Sequence, residues 1–160
     1  MSTLSVDTIQ GKTTASKVIM PTGHVLQVVK SSRNATSHES FSNTSFATST
    51  LSLSLTPKAS GNKVFVQCHI GMGEKTTSNA AQTALYIDGS NVSASSSGSD
   101  YYWSGYWNTT YNYHGASGFY EYTTVDTNAH TFALYVRVTG GAFNIHHSSS
   151  TVLIATEIQS

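Results

Sequence analysis

The chain has 160 residues, only 10% of them charged, and its eight lysines and arginines balance its eight aspartates and glutamates. That length suits one domain with a core large enough to fold without a metal or a disulfide. The even balance excludes the basic stripe that a nucleic-acid partner needs, and a single cysteine excludes an intrachain disulfide.

Polarity comes from Ser, Thr, Asn and Gly instead of charge, which suits strands that must be polar on one face. Residues 1–22 read as an extended arm and linker outside the domain, which runs from 23 to 160. In "LSVDTIQ" the apolar contacts are Leu4, Val6 and Ile9, "GKTTAS" is a linker, and "KVIMPTG" leads into the first core strand. The start carries no basic region followed by an apolar run, so it is not read as a signal peptide. An arm of this kind can add a strand to a neighbouring subunit or dock on another protein. No apolar run approaches the roughly 20 residues of a membrane span, and membrane insertion is not expected.

From residue 23 to the C-terminus, alternation with a period of two dominates the chain. "HVLQVV" is the first strand. "TLSLSLTP" sets Leu51, Leu53 and Leu55 on one face and serines on the other, and Pro57 ends it. "TPKASGN", at 56–62, reads as a flexible loop. "KVFVQCHIGM" turns Val64, Val66, Cys68, Ile70 and Met72 inward, with Phe65, Gln67 and His69 on the other face; Cys68 is expected as a buried thiol. "ALYIDGS" is a strand running into an Asp88-Gly89 turn, and "SASSSGS", at 93–99, is a second flexible loop. "GFYEYTTV" is a strand. "TFALYVRV" groups Phe132, Leu134, Val136 and Val138, and "TVLIATEI" groups Val152, Ile154 and Ile158. No segment carries a capped helical stripe. About eight or nine strands at this spacing predict an all-β fold, an antiparallel β-sandwich or jelly roll.

Several strands are apolar on both faces. Phe65 lies opposite Val64, and Ala133 and Tyr135 lie opposite Phe132 and Leu134. A sandwich buries one face of each strand, so the second face predicts a neighbouring subunit.

Both tryptophans and five of the nine tyrosines fall in "YYWSGYWNTTYNY". Tyr101, Tyr102, Trp103, Tyr106, Trp107, Tyr111 and Tyr113 supply flat faces with polar tips, suited to sugar rings and protein interfaces alike. Two readings stand: an aromatic cluster within the fold or a subunit contact, favoured by the alternation of Trp103, Gly105 and Trp107, and an exposed receptor or glycan patch.

Enzyme motifs are missing: there is no G-x-S-x-G, H-E-x-x-H or P-loop pattern. Asp100 and Glu121 flank the aromatic stretch, but two carboxylates beside loops are better read as surface polarity than as a glycosidase pair. His146 and His147 are adjacent, so within a strand they face opposite ways and do not chelate one ion together. A three-fold axis would gather one of them from each subunit into a zinc-like ring; His69 and His24 are open to the same reading. The plainer reading is polar side chains, with no cofactor.

Taken in order, "STLSVDTIQG", "GHVLQVV", "TLSLSLTPKASGNKVFV", "ALYIDGS" and "VLIATEI" resemble a family of bacteriophage virion proteins found in tail fibres and other appendages, many of them of marine phages. Residues 90–118 match least. The resemblance implies a trimeric jelly roll of the tumour-necrosis-factor or C1q type, without enzymatic activity, assembled in the host cytoplasm and located on the virion. The implied partners are two further copies and other capsid or tail proteins. The chain has neither heptads nor β-helical repeats for a shaft. A capsid decoration or small appendage held by its arm is therefore expected, with a receptor-binding fibre tip recognising host glycan or protein as the alternative.

Overall fold

The computed structural model describes residues 21–33, 38–75, 80–93, 106–107, 112–145 and 150–160. The arm residues Leu4, Val6 and Ile9 lie outside them. Eleven strands are found among the described residues: β1 (Val25–Arg33), β2 (Glu39–Phe41), β3 (Ala47–Leu55), β4 (Lys63–Lys75), β5 (Ala81–Ile87), β6 (Ser90–Asn91), β7 (Tyr106–Trp107), β8 (Asn112–Thr123), β9 (His130–Val138), β10 (Phe143–Ile145) and β11 (Thr151–Ile158).

They form two sheets, and every pairing is antiparallel. The six-stranded sheet runs β1-β11-β4-β10-β2, with β8 along the other side of β4. β10 takes over from β11 where β4 continues through Gly73–Lys75. The five-stranded sheet runs β3-β9-β5, with β6 and β7 sharing the far edge of β5. From β1 the chain visits the two sheets by turns, through β3, β4, β5, β8, β9 and β11. That winding is a jelly roll, so the all-β sandwich expected from the alternation is the fold.

The core fills the space between the sheets. Leu51, Leu53 and Leu55 point inward while Ser52 and Ser54 stay exposed. Phe132, Leu134, Val136 and Val138 are fully buried, as their spacing predicted. Full burial of each large apolar side chain stabilises the fold by about 1.5–3 kcal/mol. Val64, Val66, Cys68 and Ile70 also point inward, and the Cys68 thiol is buried. Met72 departs from the expected inward set and is only half-buried. The reason is a register shift between Ile70 and Gly73, which breaks the alternation. Gly115 faces that irregularity, where a Cβ would sit 2.9 Å from the carbonyl oxygens of Ile70 and Gly71. The Asp88-Gly89 turn is as read: both residues have positive φ, 50° and 78°, and they join β5 to β6 as a two-residue hairpin loop.

Two expectations change. In β11, the inward residues are Thr151, Leu153, Ala155 and Glu157, while Val152, Ile154 and Ile158 lie on the outer face. The loop 56–62, expected to be flexible, is pinned. The buried Glu157 carboxyl accepts hydrogen bonds from the Lys58 backbone N–H (2.8 Å), Asn62 Nδ2 (2.6 Å) and Gln27 Nε2 (2.5 Å). Gln27 Nε2 also donates to the Thr56 carbonyl at 2.7 Å. Gly61 and Asn62 exchange backbone hydrogen bonds with Thr124, at 2.8 and 2.9 Å.

A buried carboxyl is tolerated only when its oxygens are satisfied, and here all three donors are N–H groups. Glu157→Gln keeps the shape but puts an N–H where an acceptor is needed. Urea unfolding should show a loss of about 2–3 kcal/mol, the cost of one or two orphaned buried donors. A loss below about 0.5 kcal/mol would mean that the network does not hold the loop.

Candidate functional site

The outward set of β11 creates the feature of greatest functional interest. Strand registers align residues of β1, β11, β4 and β8 in rows across the six-stranded sheet. One row is Val28, Thr156, Phe65 and Glu121; the next is Lys30, Ile154, Gln67 and Phe119; the third is Ser32, Val152, His69 and Ser117. Phe65 and Phe119 are diagonal neighbours, and their rings stack with centroids 5.5 Å apart and 25° between planes. Phe119 is 57% exposed and Val28 60% exposed. The surface around Phe119 holds two shallow depressions of about 380 and 360 Å³, which share Gln67 and Phe119 as lining residues.

Charge on this face is sparse and partly neutralised. Glu121 pairs with Lys63 at 2.8 Å, so the carboxyl considered for a glycosidase pair is already engaged by a lysine, and Asp100 lies outside the described residues. His69 Nδ1 is 2.9 Å from Ser117 Oγ, an exposed pair lying flat on the sheet. The arrangement lacks a deep cleft and suits contact with another flat, apolar protein surface. The face was signalled in the sequence by Phe65 opposite Val64, but the contribution of Val152 and Ile154 was hidden, since their apolar character suits core and interface equally.

A second cluster sits at one end of the sandwich. His130, 5% exposed, donates from Nδ1 to Asp88 Oδ2 at 2.7 Å, joining the start of β9 to the β5–β6 turn. Its Nε2 lies 3.3 Å from Asp126 Oδ1 and makes no aligned hydrogen bond. The Tyr122 ring meets the imidazole edge-on, with centroids 5.4 Å apart. Partial burial pushes the Asp88 carboxyl up, but the hydrogen bonds from His130 and the Thr131 N–H outweigh it and the net shift is downward. Asp126 is lowered by the backbone N–H and then the side-chain amide of Asn128. Burial first, then the charges of Asp88 and Asp126, raise Tyr122. The three groups form a clamp between loops, and nothing in them resembles a nucleophile with its base.

Most of the aromatic stretch falls outside the described residues: Tyr101, Tyr102, Trp103 and Tyr111 do so. Tyr106 and Trp107 form β7, paired with Gln82 and Ala81 of β5, and the backbone of Tyr113 pairs with Glu74. The stretch therefore supplies strand to both sheets at these points. His146 and His147 also lie outside the described residues. Among the described residues, no group of three or more His, Cys, Asp or Glu side chains is arranged to hold a metal ion. His24 is exposed, and its backbone pairs with Gln159.

The chain is a jelly-roll β-sandwich whose six-stranded sheet carries an apolar outer face. No protein-family model matches the chain, and no curated protein matches it in sequence. Among solved structures it is similar to a sugar-binding protein, the EclA C-terminal domain, with 14% identity and a TM-score of 0.38 over 91% of this chain and 89% of that one.

The clamp fixes a pH dependence. Both aspartates have folded values below the ordinary 3.8. Their contribution is therefore present above that value and is lost as pH falls through the lower folded values. Melting temperature should drop as the pH is taken below about 4. Asp88→Asn, which still suits a positive φ, should lower it at neutral pH and flatten that acid limb. An unchanged acid limb in this variant would assign the acid sensitivity to other groups.

Proposed function

We propose that the chain is a non-enzymatic structural module of a bacteriophage virion, active as a homotrimer and docked on other virion proteins through residues 1–22. The outer face of the six-stranded sheet carries the reading. A stacked phenylalanine pair, Val28, Val152 and Ile154 form a flat, charge-poor surface on β1, β11, β4 and β8. Leaving such a surface wet is unfavourable, and further copies of the same chain bury it at a symmetric interface. The virion assignment is supported by the order of phrases from "STLSVDTIQG" to "VLIATEI".

Those phrases also have a shared structural task, which is a second support. "GHVLQVV" supplies Gln27, "TPKASGNK" supplies Lys58 and Asn62, and "VLIATEI" supplies Glu157, and these meet in one hydrogen-bonded group.

Sedimentation should give the mass of a trimer at micromolar concentration. Ile154→Glu places a charge on the outer face without touching the core. It should yield monomers that keep the far-UV spectrum of a β-protein, and a trimer that survives it would remove this face from the interface. Deleting residues 1–22 should leave folded trimers that no longer enter particles. Undiminished incorporation of the truncated chain would sink the docking role of the arm. Trp103→Ala combined with Trp107→Ala separates the fibre-tip alternative: intact trimers that assemble on virions but fail to bind host cells would favour it.

A further inference from the structure

We propose that the outer face of the five-stranded sheet, on the opposite side of the sandwich, binds a sugar bearing a carboxylate, with Arg137 as the anion-holding residue. The site goes beyond the trimer reading and does not depend on it.

It is built from cross-strand pairing. Tyr86 of β5 lies opposite Ala133 of β9, and Ala84 lies opposite Tyr135. Each tyrosine thus faces a small residue, which leaves room for the rings to come together. They stack with centroids 3.7 Å apart and 15° between planes, above the buried Ala84 and Ala133. Phe46, just before β3, extends the cluster with its ring 6.1 Å from that of Tyr86.

Arg137 completes it. Its guanidinium carbon lies 4.8 Å from the centre of the Phe46 ring, and its Nε donates to Oε1 of the buried Gln82 at 2.5 Å. The cation–π contact with Phe46 and that one hydrogen bond hold the group in place. The two terminal nitrogens remain, a fork that matches a carboxylate with two parallel hydrogen bonds. Among the described residues Arg33 pairs with Glu39 and Lys63 with Glu121, whereas Arg137 has no carboxylate partner. Arg137 and both tyrosines are half-buried, so they are ordered and still reachable.

The surroundings select the ligand class. Apart from Arg137, the outward residues between Gln82 and Tyr86 on β5 and opposite them on β9 are uncharged: Gln82, Ala84, Tyr86, Ala133 and Tyr135; Asp88, in the turn beyond Tyr86, is engaged by His130 and the Thr131 N–H. One cation suits one anionic group; an acidic peptide or a polyphosphate would call for several. Phenol hydroxyls and ring edges beside the fork suit the hydroxyls and C–H groups of a sugar ring. A uronic or sialic acid unit has that combination.

The test uses the full chain and two-dimensional amide NMR titration with trigalacturonate, its methyl ester and hexaglutamate. Trigalacturonate should bind saturably, shifting the amides of Gln82, Tyr86, Tyr135 and Arg137, and weaken as salt is raised. The ester should bind at least about tenfold more weakly, since it cannot accept the charged fork. Arg137→Ala should cost a similar factor, and Arg137→Lys, which keeps the charge and loses the fork, should fall between. Sedimentation of the same samples should be unchanged, which separates this site from the trimer face. Absence of saturable binding, equal binding of the ester, tighter binding of hexaglutamate, or full binding by Arg137→Ala at an unaltered melting temperature would each overturn the proposal.

Discussion

A single buried carboxyl organises one whole end of this molecule. Glu157 sits on the inward face of β11 with no exposed surface, where its neighbours Leu153 and Ala155 are apolar. Burying it costs several kcal/mol unless donors reach both oxygens. The donors come from β1 and from the loop between β3 and β4. The end of β11, the side chain of Gln27 and a seven-residue connection, 56–62, are therefore ordered together. Remove the acceptor and three donors on two separate segments lose their partner at once, so the loop behaves as part of the core.

The same strand explains the apolar outer face. Because Glu157 and Leu153 point inward, Val152, Ile154 and Ile158 must point outward, since side chains alternate along a strand. β11 lies between β1 and β4 in its sheet, so those apolar groups fall in the middle of the outer face. Phe65 on β4 and Phe119 on β8 extend the patch to the far edge. A polar residue held inward by hydrogen bonds thus forces an apolar row outward. Core satisfaction and the apolar outer row are two results of one register, and a slip by one residue would exchange them.

The two outer faces differ in chemistry. The outer face of the six-stranded sheet is broad and aliphatic-aromatic, with Glu121 paired to Lys63 and Lys30 exposed on β1. The five-stranded sheet carries a compact tyrosine stack with one oriented guanidinium. The first kind of surface gains most by excluding water over a large area. The second gains most from one charged hydrogen-bonded contact of defined direction. The jelly roll separates the two faces by the thickness of its core.

The amino-acid pattern by itself determined the fold class and most of the core. Alternation in "TLSLSLTP", "KVFVQCHI" and "TFALYVRV" is a local property, and it predicted the inward residues of β3, β4 and β9. The Asp88-Gly89 turn was legible because positive φ at both positions is a demand on residue type alone. What only the tertiary structure decided is which face of β11 is inner, since "TVLIATEI" is apolar on one side and mixed on the other. The choice fell against simple hydrophobicity because Glu157 finds its donors 95 to 130 residues away in sequence. The Tyr86–Tyr135 stack and the setting of Arg137 were hidden for the same reason. They arise from pairing register between strands far apart in the chain, and register is settled by the packing of the whole sandwich.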